Sequence, residues 1–228
     1  MKFLKLVLAG PMQSWGDHSR WDSRDTASAP TKSAVIGLLG CCLGYGRGDD
    51  RLRTLSENIC MAVRADSPGT LMTDYHTVQG TGGVILNAKG KKRSVGSTII
   101  TPRQYLQDAR FTVFLWGDEA RLDECAEALL HPHWAPFLGR KSCAPAVPMI
   151  PEWIEADSID DAVAQITPEE WERGAGTRIV QIEMRTGETA GEDENVIERR
   201  DDVVRADINE YTFRRIRVRR ISKGGELL

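Results

Sequence analysis

Several short stretches of this sequence carry residue types suited to holding phosphate, and one carries a pair that could break a phosphodiester. Thr31, Lys32 and Ser33 open an apolar segment in which Gly37, Gly40 and Gly44 recur every three or four residues. A helix starting there would offer free amides, a lysine and two hydroxyls to a phosphate, with Gly37 leaving room for a nucleic-acid backbone. The same glycines could instead serve close packing of the helix on a sheet. Arg103, two residues before Tyr105, could clamp a phosphate bidentately or stack on a base, or form an ordinary cross-strand pair. Arg140, Lys141 and Ser142 follow Gly139 in a tight loop, and Phe137 just upstream adds a stacking face to a basic clamp. The run Lys89, Lys91, Lys92 and Arg93 reads as a solvated loop tip or a further phosphate contact. Tyr75 and His76 are the pair that could cleave RNA, one group helping the adjacent 2′-hydroxyl attack and the other protonating the leaving oxygen. Their alternative is a buried or base-contacting role on a strand.

Metal and redox chemistry find little support. His131 and His133 flank Pro132 with no third ligand nearby, and histidines at a helix end commonly serve the helix dipole, so no metal is expected. Cys41, Cys42, Cys60, Cys125 and Cys143 contain no CxxC pair, which points to reduced thiols. No cofactor motif and no paired acid–base set of a small-molecule enzyme is evident, so no cofactor is expected. A chain of 228 residues, 41% hydrophobic and 28% charged, is long and apolar enough to bury a core. No apolar run nears the roughly 18–20 residues of a membrane span, and Met1–Leu8 lacks a secretory h-region, so a cytoplasmic location is expected. The net charge of −3 is unevenly distributed: residues 1–150 hold 18 Lys and Arg against 14 Asp and Glu, and residues 151–228 hold 12 against 19. A polyanion-binding surface is therefore expected mainly in the first two thirds.

The elements that would carry these residues follow from periodicity and punctuation. Lys2–Ala9 reads as a strand ended by Gly10-Pro11, and residues 10–31 as a long loop anchored by Trp15 and Trp21. Ser33–Leu43 reads as a helix, 50–57 as a short helix, and Ile59–Ala65 and Phe111–Trp116 as strands joined through a long hairpin with a mobile glycine-rich tip. Asp118–Leu130 places Leu122, Cys125, Ala126, Leu129 and Leu130 on one helical face behind an acidic first turn. Ala146–Ile150, between prolines, reads as an edge strand. The order is that of an α+β, ferredoxin-like split βαβ domain over 1–150, with an inserted hairpin at about 67–108. Residues 151–228 read as a small, acidic, mainly β appendage, with a helix at 159–166 and strands near 178–184 and 211–221. The stretch 187–195 reads as a solvated loop. On the last strand Arg215, Arg217 and Arg219 would share a face opposite Ile216 and Val218, meeting either RNA or the acidic segments near 157–161 and 192–194.

Five local words occur in order: Leu8-Ala9-Gly10-Pro11-Met12-Gln13-Ser14-Trp15-Gly16, Pro30-Thr31-Lys32-Ser33, Gly37-Leu38-Leu39-Gly40, Asp74-Tyr75-His76-Thr77-Val78 and Leu138-Gly139-Arg140-Lys141-Ser142-Cys143. Together they resemble the CasD subunits of type I-E CRISPR Cascade complexes, within the RAMP superfamily. The resemblance implies a non-catalytic, antiviral-defence subunit that caps the 5′ repeat-derived handle of crRNA with a ferredoxin-like body and a thumb hairpin. It also implies contacts with the CasC backbone subunit and the CasA large subunit, and with target DNA through the assembled complex. Handle contacts are then expected at Gln13, Trp15, Thr31, Lys32, Ser33, Gly37, Arg103, Phe137, Arg140, Lys141 and Ser142. A sister lineage in type I-C complexes cleaves precursor crRNA without metal, which makes an endoribonuclease built on Tyr75 and His76 the alternative.

Overall fold

The computed structural model describes residues 1–17, 23–80, 85, 98–166, 177–191 and 194–222. The strand β1 (Lys2–Ala9) and the two-residue β2 (Met12–Gln13) lead through the long loop to helices α1 (Lys32–Leu43) and α2 (Arg51–Asn58). Then come β3 (Ile59–Ser67), β4 (Thr70–Gln79), β5 (Thr98–Gln107), β6 (Arg110–Gly117) and α3 (Glu119–Leu130). The remainder is β7 (Glu152–Glu155), α4 (Ile159–Gln165), β8 (Thr177–Glu183), β9 (Asn195–Arg205) and β10 (Glu210–Ser222).

Seven of these strands form one antiparallel sheet in the order β7-β1-β6-β3-β8-β10-β9. Its first four strands place β6 between β1 and β3, with Leu4 opposite Leu115 and Val63 opposite Val113. The pleat sends alternate residues to opposite faces, so two cores form. On one face Leu4, Leu6, Leu8, Val63, Val113 and Leu115 pack against Val35, Ile36 and Leu39 of α1 and Leu122, Cys125 and Leu129 of α3. On the other, Phe3, Ala62, Phe114, Trp116, Val180 and Ile182 meet Ala162 and Val163 of α4, and the Phe3 and Trp116 rings lie 5.9 Å apart. Both faces are covered, which explains why β6 is buried continuously from Phe111 to Trp116 rather than at alternate positions.

Helix α3 shows the clearest agreement between pattern and structure. Asp118 has extended backbone and its carboxylate accepts the Arg121 amide at 3.2 Å, which satisfies one otherwise orphaned donor. Asp118→Ala is expected to cost about 1 kcal/mol of stability, read as a lowered urea midpoint with an unchanged slope. An unchanged midpoint would show that solvent caps the helix equally well.

The C-terminal third differs from expectation. The edge strand expected at Ala146–Ile150 forms instead at β7, past Pro151, because Pro145, Pro148 and Pro151 interrupt the supply of backbone donors. Only Ala146 reaches the sheet end, donating to the Ala9 carbonyl at 2.9 Å. β7 pairs with β1 and β8 pairs with β3, so the residues beyond 150 continue the main sheet on both sides. β9 is not legible in the sequence, because its charged Asn195–Arg205 stretch lacks an apolar alternation.

The hairpin between β3 and β6 is confined in the described residues to ten paired positions, from Thr70 opposite Gln107 to Gln79 opposite Thr98. β2 joins it at Gln107 and Leu106 to make a separate three-stranded sheet. Lys89, Lys91, Lys92, Arg93, Gly82, Gly83 and Gly90, which the sequence reading assigns to the tip, lie outside the described residues, as does Trp21.

Candidate nucleic-acid interface

Three segments remote in sequence are stitched together around β5. The Arg24 amide donates to the Pro102 carbonyl at 2.9 Å, and the Gln104 amide donates back to the Arg24 carbonyl at 2.7 Å. Ser14 donates its amide to the Leu138 carbonyl at 3.1 Å, joining the first loop to the 137–143 loop. That second loop is closed by Leu138 N–H on Cys143 and Cys143 N–H on Arg140, each at 2.8 Å. Gly139 adopts φ +86°, and a Cβ there would overlap the Ser14 carbonyl oxygen. Glycine is required both by the left-handed backbone and by the close approach.

Arg140 holds this junction together. Its guanidinium donates to the carbonyls of Gln104 at 3.1 Å and of Arg24 and Asp25 at 3.3 Å, and lies 4.6 Å above the Tyr105 ring. Its donors are largely spent inside the protein, so the expected phosphate clamp at Arg140 is corrected to a brace for the loops. Lys141 and Ser142 beside it are exposed and Phe137 is half-buried, so the groups free to meet a ligand are Arg140's neighbours. Arg103 lies on the same hairpin face as Tyr105, half-buried, with its Nε donating to Thr101 Oγ1 at 3.3 Å.

The start of α1 is corrected more sharply. The Lys32 amide donates to Asp201 at 2.8 Å, so a carboxylate of the same chain already occupies the anion seat. Lys32 is buried, with Nζ 2.8 Å from Glu183 and 3.1 Å from Asp202. Arg214 closes the set with bonds of 2.6 and 2.9 Å to Asp201 and a longer one of 3.5 Å to Glu183. Ser56 donates to Asp202 at 2.5 Å, and the Met61 amide donates to Glu183 at 3.0 Å. Thr31 is buried as well, so neither Thr31 nor Lys32 can meet a phosphate. Ser33 is half-buried, its hydroxyl 3.4 Å from that of Thr31.

Gln13 and Trp15 are corrected from RNA contacts to core. Gln13 donates to the carbonyls of Leu8 and Ala109, at 3.3 and 2.6 Å, and accepts the Trp15 indole N–H at 3.1 Å, with both side chains fully buried. The α1 glycines separate by role. Gly40 faces Leu52 of α2, where any Cβ would collide, and Gly44 ends the helix at φ +75°. Gly37 is exposed, with open space where its Cβ would be.

These features sit in a chain whose relatives are known. Residues 3–220 match the family model described as CRISPR-associated protein (Cas_Cas5). The chain belongs to the Cas5 family. Over 180 residues this Cas5 chain is 38% identical to the CRISPR system Cascade subunit CasD of Escherichia coli (strain K12), covering 73% of the chain and 77% of that relative. A solved structure described as a CRISPR RNA-guided surveillance complex contains a chain 35% identical to this one, with a TM-score of 0.71 over 96% of this chain and 89% of that one. A second, described as a crystal structure of a Cas protein, is 26% identical with a TM-score of 0.66, over 97% and 95% of the two chains. Both matches agree with a mixed α+β architecture built on a large antiparallel sheet.

In this Cas5 chain Tyr75 and His76 do not converge. They are consecutive on β4, opposite Pro102 and Thr101, and the pleat sends them to opposite faces of the hairpin. Tyr75 is 67% exposed, while His76 lies with Nδ1 3.4 Å from Asp74. His133 packs on Gly44 and edge-on to Trp134, and His131 lies 3.7 Å from Glu127. Of the final arginines, Arg217 bonds Asp160 at 2.8 Å and Glu194 at 3.1 Å, and Arg219 bonds Asp160 at 2.7 Å and also Glu194. Burial alone would raise the Glu194 carboxyl, but the Gly191 amide and these two arginines hold it below its ordinary value. The acidic segments are therefore the partners of this strand face, leaving Arg215 exposed opposite Glu198.

Proposed function

We propose that this chain is a non-catalytic, crRNA-binding subunit of a cytoplasmic CRISPR surveillance complex, capping the 5′ repeat-derived handle. In this reading β1, β3 and β6 with α1 and α3 are a ferredoxin-like RAMP body over about 1–150, and residues 67–108 are its thumb. Residues 151–228 form the β-rich unit that extends the body. The observation that carries the reading is the braced junction at Arg140, which presents Lys141, Ser142 and Phe137 beside Arg103 on a rigid scaffold. A cation, a hydroxyl and an aromatic face held together suit a single-stranded backbone with one base stacked. The open position at Gly37 gives a backbone a second place to approach α1 closely. The names of the relatives support partners among Cascade subunits, with a CasC-like backbone subunit, a CasA-like large subunit and target DNA reached through the assembly. Among the described residues no helix is long and apolar enough to cross a membrane.

Handle-RNA binding by purified protein tests this. Lys141→Ala and Arg103→Ala are each expected to weaken binding about tenfold, the scale of one charged hydrogen bond. The Lys141 variant should also flatten the dependence of log affinity on log salt by about 0.7, one single-strand phosphate contact. Unchanged affinity in both variants would refute the site. The endoribonuclease alternative needs Tyr75 and His76 to act on one phosphate, which their opposite orientation disfavours. Repeat RNA incubated in EDTA is expected to stay intact. A cyclic-phosphate product abolished by His76→Ala would establish the alternative instead.

A further inference from the structure

A groove of about 260 Å³ lies between the first turns of α3 and strands β1 and β7, lined by Lys2, Glu119, Asp123, Trp153 and Glu155. The register builds it. Lys2 stands opposite Glu155 and Leu4 opposite Trp153, so these side chains share the sheet face that Leu4 presents to α3. Trp153 is 41% exposed, a large fraction for an indole on a sheet. Three carboxylates meet one ammonium, and Lys2 is 3.7 Å from Glu119. Among the described residues Asp123 and Glu155 have no cation within ion-pair distance, so the groove keeps two uncompensated negative charges. β7 is the terminal strand of the sheet, paired with β1 on one side, and its other edge presents backbone donors and acceptors.

We propose that this groove is a docking site for an arginine on an extended segment of another protein subunit of the same complex, the segment lying along the edge of β7. This rests on reading the chain as a subunit of such a complex. A guanidinium is flat enough to stack on the Trp153 indole, and its forked donors match carboxylates at Asp123 and Glu155. The surplus negative charge repels phosphate, which assigns the groove to protein rather than RNA. Four residues of β7 supply only a few backbone bonds, so the side-chain anchor must provide most of the specificity.

Hydroxyl-radical footprinting with mass spectrometry reads Trp153 separately from the other tryptophans, and it is applied to the free chain and to the crRNA complex assembled from co-expressed subunits. Oxidation of Trp153 is expected to slow about fivefold in the complex, as an anchor site loses water. In the Asp123→Lys/Glu155→Lys variant, whose substitutions lie at exposed positions, the protection should vanish or the complex should fail to form. The free variant should meanwhile bind handle RNA with wild-type affinity. Equal oxidation of Trp153 in the free chain and the complex would overturn the inference and leave the RNA reading untouched. Protection that survives both lysines would show a cover that does not depend on an arginine, and would overturn it too. Failure of the wild-type chain to bind handle RNA would strike the functional reading alone.

Discussion

Arg214→Ala is expected to lower the free energy of unfolding by about 3–5 kcal/mol, the scale seen when one member of a buried charge set is removed. Arg214, Lys32, Glu183 and Asp201 are all buried, and Asp202 beside them is mostly so. Removing the guanidinium leaves Asp201 with only the Lys32 amide, and leaves three carboxylates against one ammonium. Burial alone would depress the pKa of Arg214, but its bonds to Asp201 and the charges of Asp201, Glu183 and Asp202 raise it above the ordinary value. The guanidinium is thus charged throughout the working pH range, and no deprotonation relieves the imbalance. A loss of this size is a large share of the roughly 5–15 kcal/mol that holds a domain folded. Arg215→Ala, one position along and exposed, should change stability by no more than about 0.5 kcal/mol. Urea unfolding of the two variants makes the comparison, and equal midpoints would show that the buried set contributes nothing particular. Lys32→Ala belongs with Arg214→Ala, so any loss of RNA binding it causes would report folding rather than a lost contact.

Gly139→Ala is expected to be the most damaging single-methyl change at the interface. The left-handed backbone alone costs a non-glycine residue about 1–3 kcal/mol. The added Cβ would also overlap the Ser14 carbonyl oxygen, a backbone atom that cannot swing aside as a side-chain tip could. Relief requires separating the two loops, which breaks the Ser14–Leu138 hydrogen bond and pulls Arg140 from Gln104, Arg24 and Asp25. Handle-RNA affinity should therefore fall further than in Lys141→Ala, with a lowered melting temperature that the lysine variant does not show. A variant that melts and binds like the wild type would show that the two loops are not locked together.

Much of the body was legible because its signals are local. β1, β6 and α3 follow from periodicity, and Asp118 was marked by the acidic turn behind it. The start of α1 is misleading in the sequence for the opposite reason. Its lysine and amide looked available for phosphate because the carboxylates that claim them lie 151 and 169 residues away. A hint was present in Arg214, which by strict alternation falls on the apolar face of β10 with Ile216 and so demands a buried acid. Gln13 and Trp15 point to RNA only through a word shared with a family. Their complementary donors and acceptors, which satisfy one another in the core, depend on Ala109 from the distant turn between β5 and β6. The bracing role of Arg140 is not legible in the sequence, since only the folded loops bring the Gln104, Arg24 and Asp25 carbonyls within its reach.

The seven-stranded sheet also has a schedule. Translation delivers β3 and β6 well before β8, with more than a hundred residues separating Ser67 from Thr177. At about 5–20 residues per second, that interval is on the order of ten seconds. Throughout it the outer edge of β3 has no strand beside it, and Phe114 and Trp116, once made, lack the cover that Val180 and Ile182 later supply. The nascent chain thus passes through a stage with one bare apolar face and one open strand edge, the combination that invites pairing with the wrong neighbour. Lys32 waits over the same interval for Glu183 and Asp201, so the last strands to emerge both close the sheet and neutralise the first helix.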